Sequence, residues 1–223
     1  MNKKVESATI LDSSVIRAQK NATARQQEPT VTRSARERLN DHRAFLLWFT
    51  GLSGAGKTTL ASAVEKSLHT QGYRTYVLDG DNIRHGLCRD LNYSEPDRKE
   101  NIRRAGELAK LFVDAGVITF AAFISPFAAD RQKIRDMFEG YDYIEIYCRA
   151  SLSICEQRDA KGLYRKARSG EIENFTGISS PYEEPQTPDL TVNTGEAPLG
   201  SCVQRVLDFL QMNGYLELLK KYR

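Results

Sequence analysis

The sequence GLSGAGKT at residues 51–58 has the pattern G-x-x-x-x-G-K-[ST], which is typical of a phosphate-binding loop, or P-loop. The apolar run before it, residues 44–49 (AFLLWF), predicts a buried strand, and residues 59–68 (TLASAVEKSL) predict a helix. A strand before the loop and a helix N-terminus after it are the context in which such a loop binds phosphate. A chance glycine-rich turn is the alternative, and the two flanking elements disfavour it.

The residue types of this loop suit the phosphates of a nucleotide. The glycines allow a tight turn in which successive backbone N–H groups point at one anion, and the next helix N-terminus adds partial positive charge. Lys57 can reach the β- and γ-phosphates of a nucleoside triphosphate, and the Thr58 hydroxyl can bind Mg²⁺. The other loop residues that we predict to bind the phosphates are Gly51, Ser53, Gly54, Ala55 and Gly56.

Length and composition indicate one soluble α/β domain with an additional segment. The chain has 223 residues, of which 40% are hydrophobic and 27% are charged, as in ordinary globular proteins. Its net charge of +3 is too small to indicate a nucleic-acid partner. No apolar run approaches the roughly 18 residues that a membrane span needs, and no secretory signal is visible. We therefore expect a cytoplasmic protein that binds neither nucleic acid nor membrane.

The cysteines give no indication of a metal site or a redox centre. They include no C-x-x-C pair and form no zinc-spaced cluster with the three histidines. Reduced thiols are the expectation for a cytoplasmic protein. We assign no catalytic role to any of the four, which are Cys88, Cys148, Cys155 and Cys202.

The N-terminal segment differs in composition from the rest of the chain. Residues 1–40 lack a sustained hydrophobic period and have few large apolar side chains, so they cannot bury enough surface to offset their ordering entropy. We predict a flexible extension over residues 1–40, with a short helix at 34–39, and one domain over 41–223. A transit peptide is the alternative, and it is opposed by four acidic residues, Glu6, Asp12, Glu28 and Glu37.

From residue 44 onward, strand patterns alternate with helix patterns. Strands are predicted at 44–49, 73–78, 117–124, 141–148 and 190–193. Helices are predicted at 59–68, 96–115, 128–138, 152–159, 162–169 and 199–212, and a long surface loop at 174–188. This alternation predicts an α/β protein with the three-layer P-loop NTPase fold, in which helices cover both faces of a mostly parallel sheet. Ligands bind at the carboxyl ends of such strands.

Polar residues follow the second predicted strand on the same side of the sheet as the P-loop. Asp79 and Asp81 can hold the water shell of Mg²⁺ or accept a proton from an attacking hydroxyl group. A polar Asp-Gly turn is the alternative. Arg84, Arg98 and Asn101 lie nearby in sequence, and arginine side chains suit an oxyanion substrate. Arg103 and Arg104 are equally consistent with a solvated helix face.

Six motifs occur together, in an order that one enzyme family shares. They are GLSGAGKTT (51–59), LDGDNIRHGL (78–87), DRKENIRR (97–104), FISP (123–126), KGLYRKAR (161–168) and FTGI (175–178). With them the sequence resembles the adenylyl-sulfate kinases, which transfer the γ-phosphoryl group of ATP to the 3′-hydroxyl of adenosine 5′-phosphosulfate (APS) and yield 3′-phosphoadenylyl sulfate (PAPS). The resemblance extends over about residues 44–213.

The resemblance implies roles for individual residues. Asp79, Lys57 and Ser125 match catalytic positions, and Asp79 joins Thr58 as a metal-positioning residue. Thr59 extends the ATP-binding loop, and Arg158 packs near the ATP base. The positions that match APS contacts are Asp81, Arg84, Tyr93, Arg98, Asn101, Ile124, Ser125, Lys161 and Phe175.

Three of these roles have alternatives. Tyr93 and Phe175 match an aromatic pair that encloses the substrate adenine, although Phe175 could instead be a loop aromatic that covers the core, and Tyr93 a hydrophobic staple of the helix. The loop of Phe175 also resembles a lid that excludes water. Ser125 matches a serine described as a phosphoserine intermediate, but a hydroxyl group beside Mg²⁺ accounts for it equally well, because in-line transfer needs no relay.

The resemblance also implies partners. ATP and APS are the expected substrates, Mg²⁺ the expected cofactor, and a cytoplasmic homodimer in sulfate assimilation the expected form, with a possible ATP sulfurylase association. Another small-molecule P-loop kinase is one alternative, but it does not predict the motifs around Asp79 and Phe175. A nucleotide-binding regulatory module is another, yet such a module would tend to lose the carboxylates and arginines that this chain retains.

Overall fold

The computed structural model describes residues 29–217, and these residues form a five-stranded parallel sheet. The strands are β1 (Leu46–Thr50), β2 (Thr75–Asp79), β3 (Ile118–Ala122), β4 (Tyr143–Cys148) and β5 (Leu190–Val192). They lie side by side in the order β2-β3-β1-β4-β5, with every neighbouring pair parallel. β1 is therefore central, and the loop that follows it opens at the middle of the sheet edge.

Eight α-helices connect or flank these strands in the described part of the chain. They are α1 (Arg33–Asn40), α2 (Lys57–Thr70), α3 (Gly80–His85), α4 (Glu95–Asp114), α5 (Ala128–Arg135), α6 (Leu152–Arg158), α7 (Leu163–Arg168) and α8 (Leu199–Met212). A short 3₁₀ turn at Gly140–Asp142 precedes β4. None of the helices within residues 29–217 has the length and apolar composition required to cross a membrane.

The central strand is buried on both faces because each face packs on a different helix layer. Leu47 and Phe49 belong to one core cluster with apolar residues of α2 and α8, including Leu60, Val64, Val206 and Leu210. Leu46 and Trp48 belong to a second cluster with Ile102, Ala105 and Ala109 of α4. The continuous apolar run at residues 44–49 is typical of a strand covered in this way. The predicted three-layer α/β fold is confirmed.

The compact unit begins at Thr32, which is earlier than the predicted boundary at residue 41. Thr32 caps α1, and Arg33 then pairs with Asp142 and with the carbonyl of Ala44. Asn40 Nδ2 donates to the Gly116 carbonyl over 2.8 Å. These partners are distant in sequence, so composition alone assigned α1 to the extension. The predicted flexibility of residues 1–28 lies outside the described residues.

Helix α3 was not among the predicted helices, and an Asp-Gly turn at this position was only the alternative to a functional role. The helix begins because Asp79 acts as its N-cap: the Oδ1 atom accepts hydrogen bonds from the backbone N–H groups of Asp81 (3.0 Å) and Asn82 (3.3 Å). A turn and a short capped helix share this local sequence chemistry, since Asp-Gly suits both. As a result, Asp79 Oδ1 is fixed by the cap of α3, and Oδ2 is left to make other contacts.

Candidate active site

The P-loop lies between β1 and α2 with the backbone geometry that its glycines allow. Gly54 and Gly56 have φ angles of +74° and +87°, in the left-handed region that favours glycine. A Cβ atom at Gly54 would lie 3.0 Å from the Cys155 carbonyl oxygen, so the loop has no room for a side chain there. No side chain of the described residues caps α2. The helix therefore presents its first N–H groups to an anion.

Lys57 is held by the loop to which it belongs. Its Nζ atom donates to the carbonyl oxygens of Gly51 (3.0 Å) and Leu52 (2.8 Å), and the side chain is largely buried. This burial lowers the pKa of Lys57 to about 8 because it disfavours the charged form. A bound phosphate would favour the ammonium ion again and raise this pKa.

Thr58 and Asp79 connect the P-loop to the second strand. The Thr58 hydroxyl donates to Asp79 Oδ2 over 2.7 Å, while Asp79 Oδ1 caps α3. A hydroxyl and a carboxylate are hard oxygen ligands of the kind that Mg²⁺ takes alongside phosphate oxygens and water. Groups of three or more His, Cys, Asp or Glu side chains able to hold a metal do not occur among residues 29–217. The oxygens of Thr58 and Asp79 suit a cation that is also bound by phosphate.

Asp81 and Lys161 form an ion pair across the same edge of the sheet. Asp81 lies in α3 and Lys161 lies between α6 and α7, and both side chains are mostly exposed. The hydrogen bond from Lys161 to Asp81 raises the pKa of Lys161. Exposed pairs contribute little to stability. An anionic ligand could therefore separate the two charges at small cost.

Two arginines surround Tyr93. The Arg84 guanidinium carbon lies 4.5 Å from the centroid of the Tyr93 ring, a cation–π contact, and Arg98 Nε donates to the Tyr93 carbonyl over 2.8 Å. Burial lowers the pKa of Arg98, and the nearby charge of Arg84 acts in the same direction. Two like charges held close together favour binding of an anion. The Asn101 side chain is buried here, and its oxygen has no hydrogen-bond partner within residues 29–217.

Arg98 also holds the loop of Phe175. Its guanidinium donates to Thr176 Oγ1 over 3.1 Å and contacts the Asn174 carbonyl. The Phe175 ring packs edge-on against Tyr164, with ring centroids 5.0 Å apart and an interplanar angle of 77°. The structure thus connects the predicted APS arginine to the predicted lid. Stacking of Phe175 on an adenine stays a prediction.

Ser125 lies at the end of β3 in a strained turn. Its φ angle is +39°, and its side chain is 1% exposed. The hydroxyl accepts from Trp48 Nε1 and donates to Thr50 Oγ1, each over 3.0 Å. Ile124 precedes it and accepts a hydrogen bond from Thr50 through its carbonyl oxygen. The hydroxyl is therefore engaged in the protein interior, and its predicted role at the phosphate remains a prediction.

Arg158 joins the P-loop to the segment after β5. Its Nη2 atom donates to the Thr194 carbonyl over 2.8 Å, and Nη1 lies 3.3 Å from the Gly54 carbonyl oxygen. The sequence analysis missed Thr194 and Gly195, whose only local signal is a Thr-Gly pair after the last strand. By contrast, Arg103 and Arg104 pair with acidic neighbours, as the alternative of a solvated helix face requires.

The cysteine predictions can also be compared with the structure. All four cysteines are free and buried. Burial raises the pKa of the Cys148 thiol to about 12, which keeps it protonated near neutral pH. Thiolate nucleophiles need the opposite shift, so this shift disfavours Cys148 as a nucleophile.

Comparisons with known proteins agree with this geometry. A family model described as adenylylsulphate kinase matches residues 43–193. An adenylyl-sulfate kinase of Acaryochloris marina is 61% identical over 188 residues, which are 84% of this chain and 92% of that protein. A solved APS kinase of Mycobacterium tuberculosis, in complex with AMPPNP and APS, is 46% identical with a TM-score of 0.74, covering 76% of this chain and 99% of that one. The chain described here belongs to the adenylylsulphate kinase family.

Proposed function

We propose that this protein transfers the γ-phosphoryl group of ATP to the 3′-hydroxyl of APS, yielding PAPS and ADP. The observation that carries the proposal is the 2.7 Å contact between Thr58 of the P-loop and Asp79 of the second strand. It brings a phosphate-binding loop and a carboxylate base together, beside the arginine pair Arg84 and Arg98. The M. tuberculosis relative, solved with AMPPNP and APS, supports these two substrates.

ATP binding starts at the P-loop. The uncapped N-terminus of α2 and the loop N–H groups bind the phosphates, and Lys57 exchanges its two carbonyl partners for phosphate oxygens. Thr58 would hold Mg²⁺ directly and Asp79 would hold it through water, and the ion would supply positive charge at the β- and γ-phosphates. Arg158 fixes the P-loop at Gly54 and connects it to Thr194, through contacts to the two carbonyl oxygens.

APS binding uses the side chains around Arg84, Arg98 and Lys161. Arg84, Arg98 and Lys161 provide positive charge for the phosphosulfate, and Asp81 releases Lys161 from its exposed ion pair. The side-chain oxygen of Asn101, which has no partner among the described residues, can accept a hydrogen bond from the ligand. Phe175 offers an aromatic face for the adenine, in a loop that Arg98 already holds.

The reaction is a direct displacement. The 3′-hydroxyl oxygen attacks the γ-phosphorus, the bond from that phosphorus to the β–γ bridging oxygen breaks, and ADP leaves. Asp79 accepts the proton of the hydroxyl through Oδ2, since Oδ1 is fixed by the cap of α3. The loop of Phe175 closes over the two nucleotides and excludes water, which limits hydrolysis of ATP.

Purified protein with Mg-ATP should release ADP rapidly when APS is added, and slowly with AMP or with no acceptor. The nucleotide product should carry a new 3′-phosphate. Release with AMP alone would indicate a different P-loop kinase, whereas nucleotide binding without turnover on any acceptor would indicate a regulatory module.

The family resemblance also leads us to propose a homodimer and an association with ATP sulfurylase. Light scattering after size-exclusion chromatography would give the molar mass of this chain alone. Repeating the run with the sulfurylase would detect a complex as an earlier peak. A monomer by mass, or unchanged elution, would contradict the respective proposal.

A further inference from the structure

Arg131 lies beneath the site and was not among the predicted site residues. It belongs to α5 and is 3% exposed. Its Nη1 atom donates to the Ser125 carbonyl over 2.7 Å, and its Nη2 atom donates to the Glu183 carbonyl over 2.8 Å. One guanidinium group therefore bridges two separate parts of the proposed acceptor site: the turn after β3 and the segment that follows Phe175.

The guanidinium group of Arg131 also forms an ion pair with the carboxylate of Glu145. Glu145 is a largely buried residue of β4, and its Oε1 atom lies 2.7 Å from Arg131 Nε. Burial raises the pKa of Glu145, and the charges of Arg131 and Arg135 oppose that rise. Both Nη atoms of Arg131 donate hydrogen bonds to carbonyl oxygens, and Nε lies in an ion pair with Glu145, so the group is held in place. Lysine has no such planar fork and cannot donate to both carbonyl oxygens in these directions.

The same two segments are joined at two further points, and a third connection runs through Thr50 of β1. The backbone N–H of Glu183 donates to the Pro126 carbonyl over 2.8 Å, and its carboxylate accepts from Ala128 N over 2.7 Å. The Tyr182 hydroxyl lies 3.0 Å from Thr50 Oγ1, which also contacts Ser125. Residues 182–183 are thus attached to the turn at 125–128, while Arg98 holds the other end of the loop near Phe175.

The turn needs external support because Ser125 is not glycine. A φ angle of +39° is unfavourable for a residue with a Cβ atom and persists where the surroundings determine it. Trp48 holds the Ser125 hydroxyl, and Arg131 holds its carbonyl. We infer that Arg131, oriented by Glu145, is a positioning residue that aligns the Ser125 turn with the Phe175 loop and so shapes the APS site. This inference rests on the proposed function.

Two variants test the inference, with a third as a matched control. Arg131→Lys keeps the positive charge near Glu145 but removes the bridge. The double variant Arg131→Gln with Glu145→Gln removes both charges of the buried pair, so neither is left uncompensated. Arg135→Gln is the control: Arg135 lies one turn further along α5 and contacts Glu145 and Asp189, but neither bridged carbonyl.

We expect Arg131→Lys and the double variant to raise the KM for APS about tenfold, with the KM for ATP within about twofold of wild type. Trp48 is the only tryptophan of the chain and touches Ser125, so its emission maximum should move to longer wavelength in both variants. Arg135→Gln should change neither the KM for APS nor the emission.

The other outcomes separate this inference from the function on which it rests. If the wild-type protein does not phosphorylate APS, the proposed function fails. The Trp48 emission alone then still tests whether Arg131 supports the turn at Ser125. If the wild type is active and folded Arg131 variants keep its KM and emission, the inference is wrong. It is also overturned if both KM values rise together, or if neither Arg131 variant folds, because the pair would then serve stability alone.

Discussion

The hydroxyl of Thr58 and the carboxylate of Asp79 are in contact over 2.7 Å, so the phosphate loop and the second strand share one hydrogen bond. Asp79 is oriented at the same time by the backbone of α3, which its Oδ1 atom caps. Two requirements therefore meet in a single side chain: the start of a helix and the base of the proposed reaction.

Replacing Asp79 by Asn separates these two requirements. Asn is also a good N-cap, so α3 should persist, whereas the amide cannot accept the proton of the 3′-hydroxyl. We expect kcat with APS to fall about 10²–10⁴-fold, with a melting temperature close to that of wild type. Steady-state ADP release and thermal melting measure the two effects. Near-normal turnover would remove Asp79 from the mechanism.

Replacing Phe175 by Ala should weaken APS binding selectively. A lost aromatic stack is worth about 0.5–1.5 kcal/mol beyond its buried area, so the KM for APS should rise at least several-fold, while the KM for ATP stays near the wild-type value. Tyr141→Ala provides a control at an exposed aromatic residue of the 3₁₀ turn. An unchanged KM for APS in the Phe175 variant would argue that this ring only packs on Tyr164.

The pKa of Lys57 predicts how ATP binding depends on pH. Lysine is charged below its pKa, and burial lowers that pKa to about 8 in the unliganded protein. As the pH rises through 8, the charge that attracts phosphate is lost, so kcat/KM for ATP should decline at higher pH. Because bound phosphate stabilises the ammonium ion, kcat at saturating ATP should decline only at a higher pH. Two profiles between pH 6 and 10 measure both; coincident declines would contradict the assignment to Lys57.

Lys161 should affect APS more than stability. Both side chains of its ion pair with Asp81 are mostly exposed, and such pairs contribute little to the stability of the fold. Lys161→Ala should therefore shift the melting temperature by less than about 2 °C and raise the KM for APS. Lys133→Ala is a suitable control, since Lys133 is an exposed lysine that pairs with Asp130 on α5. Equal KM values for the two variants would exclude Lys161 from the acceptor site.

Arg33 should matter for stability and not for catalysis. It pairs with Asp142 and contacts the Ala44 carbonyl, so it fastens α1 to the start of β1 and β4. Arg33→Gln is expected to lower the free energy of unfolding by about 1–3 kcal/mol, with both KM values unchanged. Arg38→Gln is the matched control, because within residues 29–217 Arg38 donates only to Ser34 of the same helix. Equal stability of the two variants would place the domain start after α1.

Local sequence patterns were sufficient for most of the fold. Each strand is a short apolar run and each long helix has its own period, so the order of elements could be predicted without knowing any contact. Helix α3 could not, because Asp79-Gly80-Asp81 suits a turn as well as a capped helix. Helix α1 was assigned to the extension because its partners are distant in sequence: Asp142 lies 109 positions from Arg33, and Gly116 lies 76 positions from Asn40.

The site divides in the same way. The P-loop is contiguous, so its pattern alone indicates its chemistry. The contacts of Ser125 with Trp48, and of Arg131 with Glu145, join residues whose local patterns indicate only a core strand and a polar helix face. Such pairings depend on how β3, β4 and α5 pack, and a single sequence carries no direct signal for them.

The hydrogen bonds from Lys57 to the carbonyl oxygens of Gly51 and Leu52 have a consequence for selectivity among small anions. An entering anion must displace two hydrogen bonds before it gains the lysine charge. Inorganic phosphate or sulfate offers few oxygens in return, whereas a triphosphate also engages N–H groups along the whole loop and the end of α2. We therefore expect the loop to bind a triphosphate in preference to inorganic phosphate or sulfate.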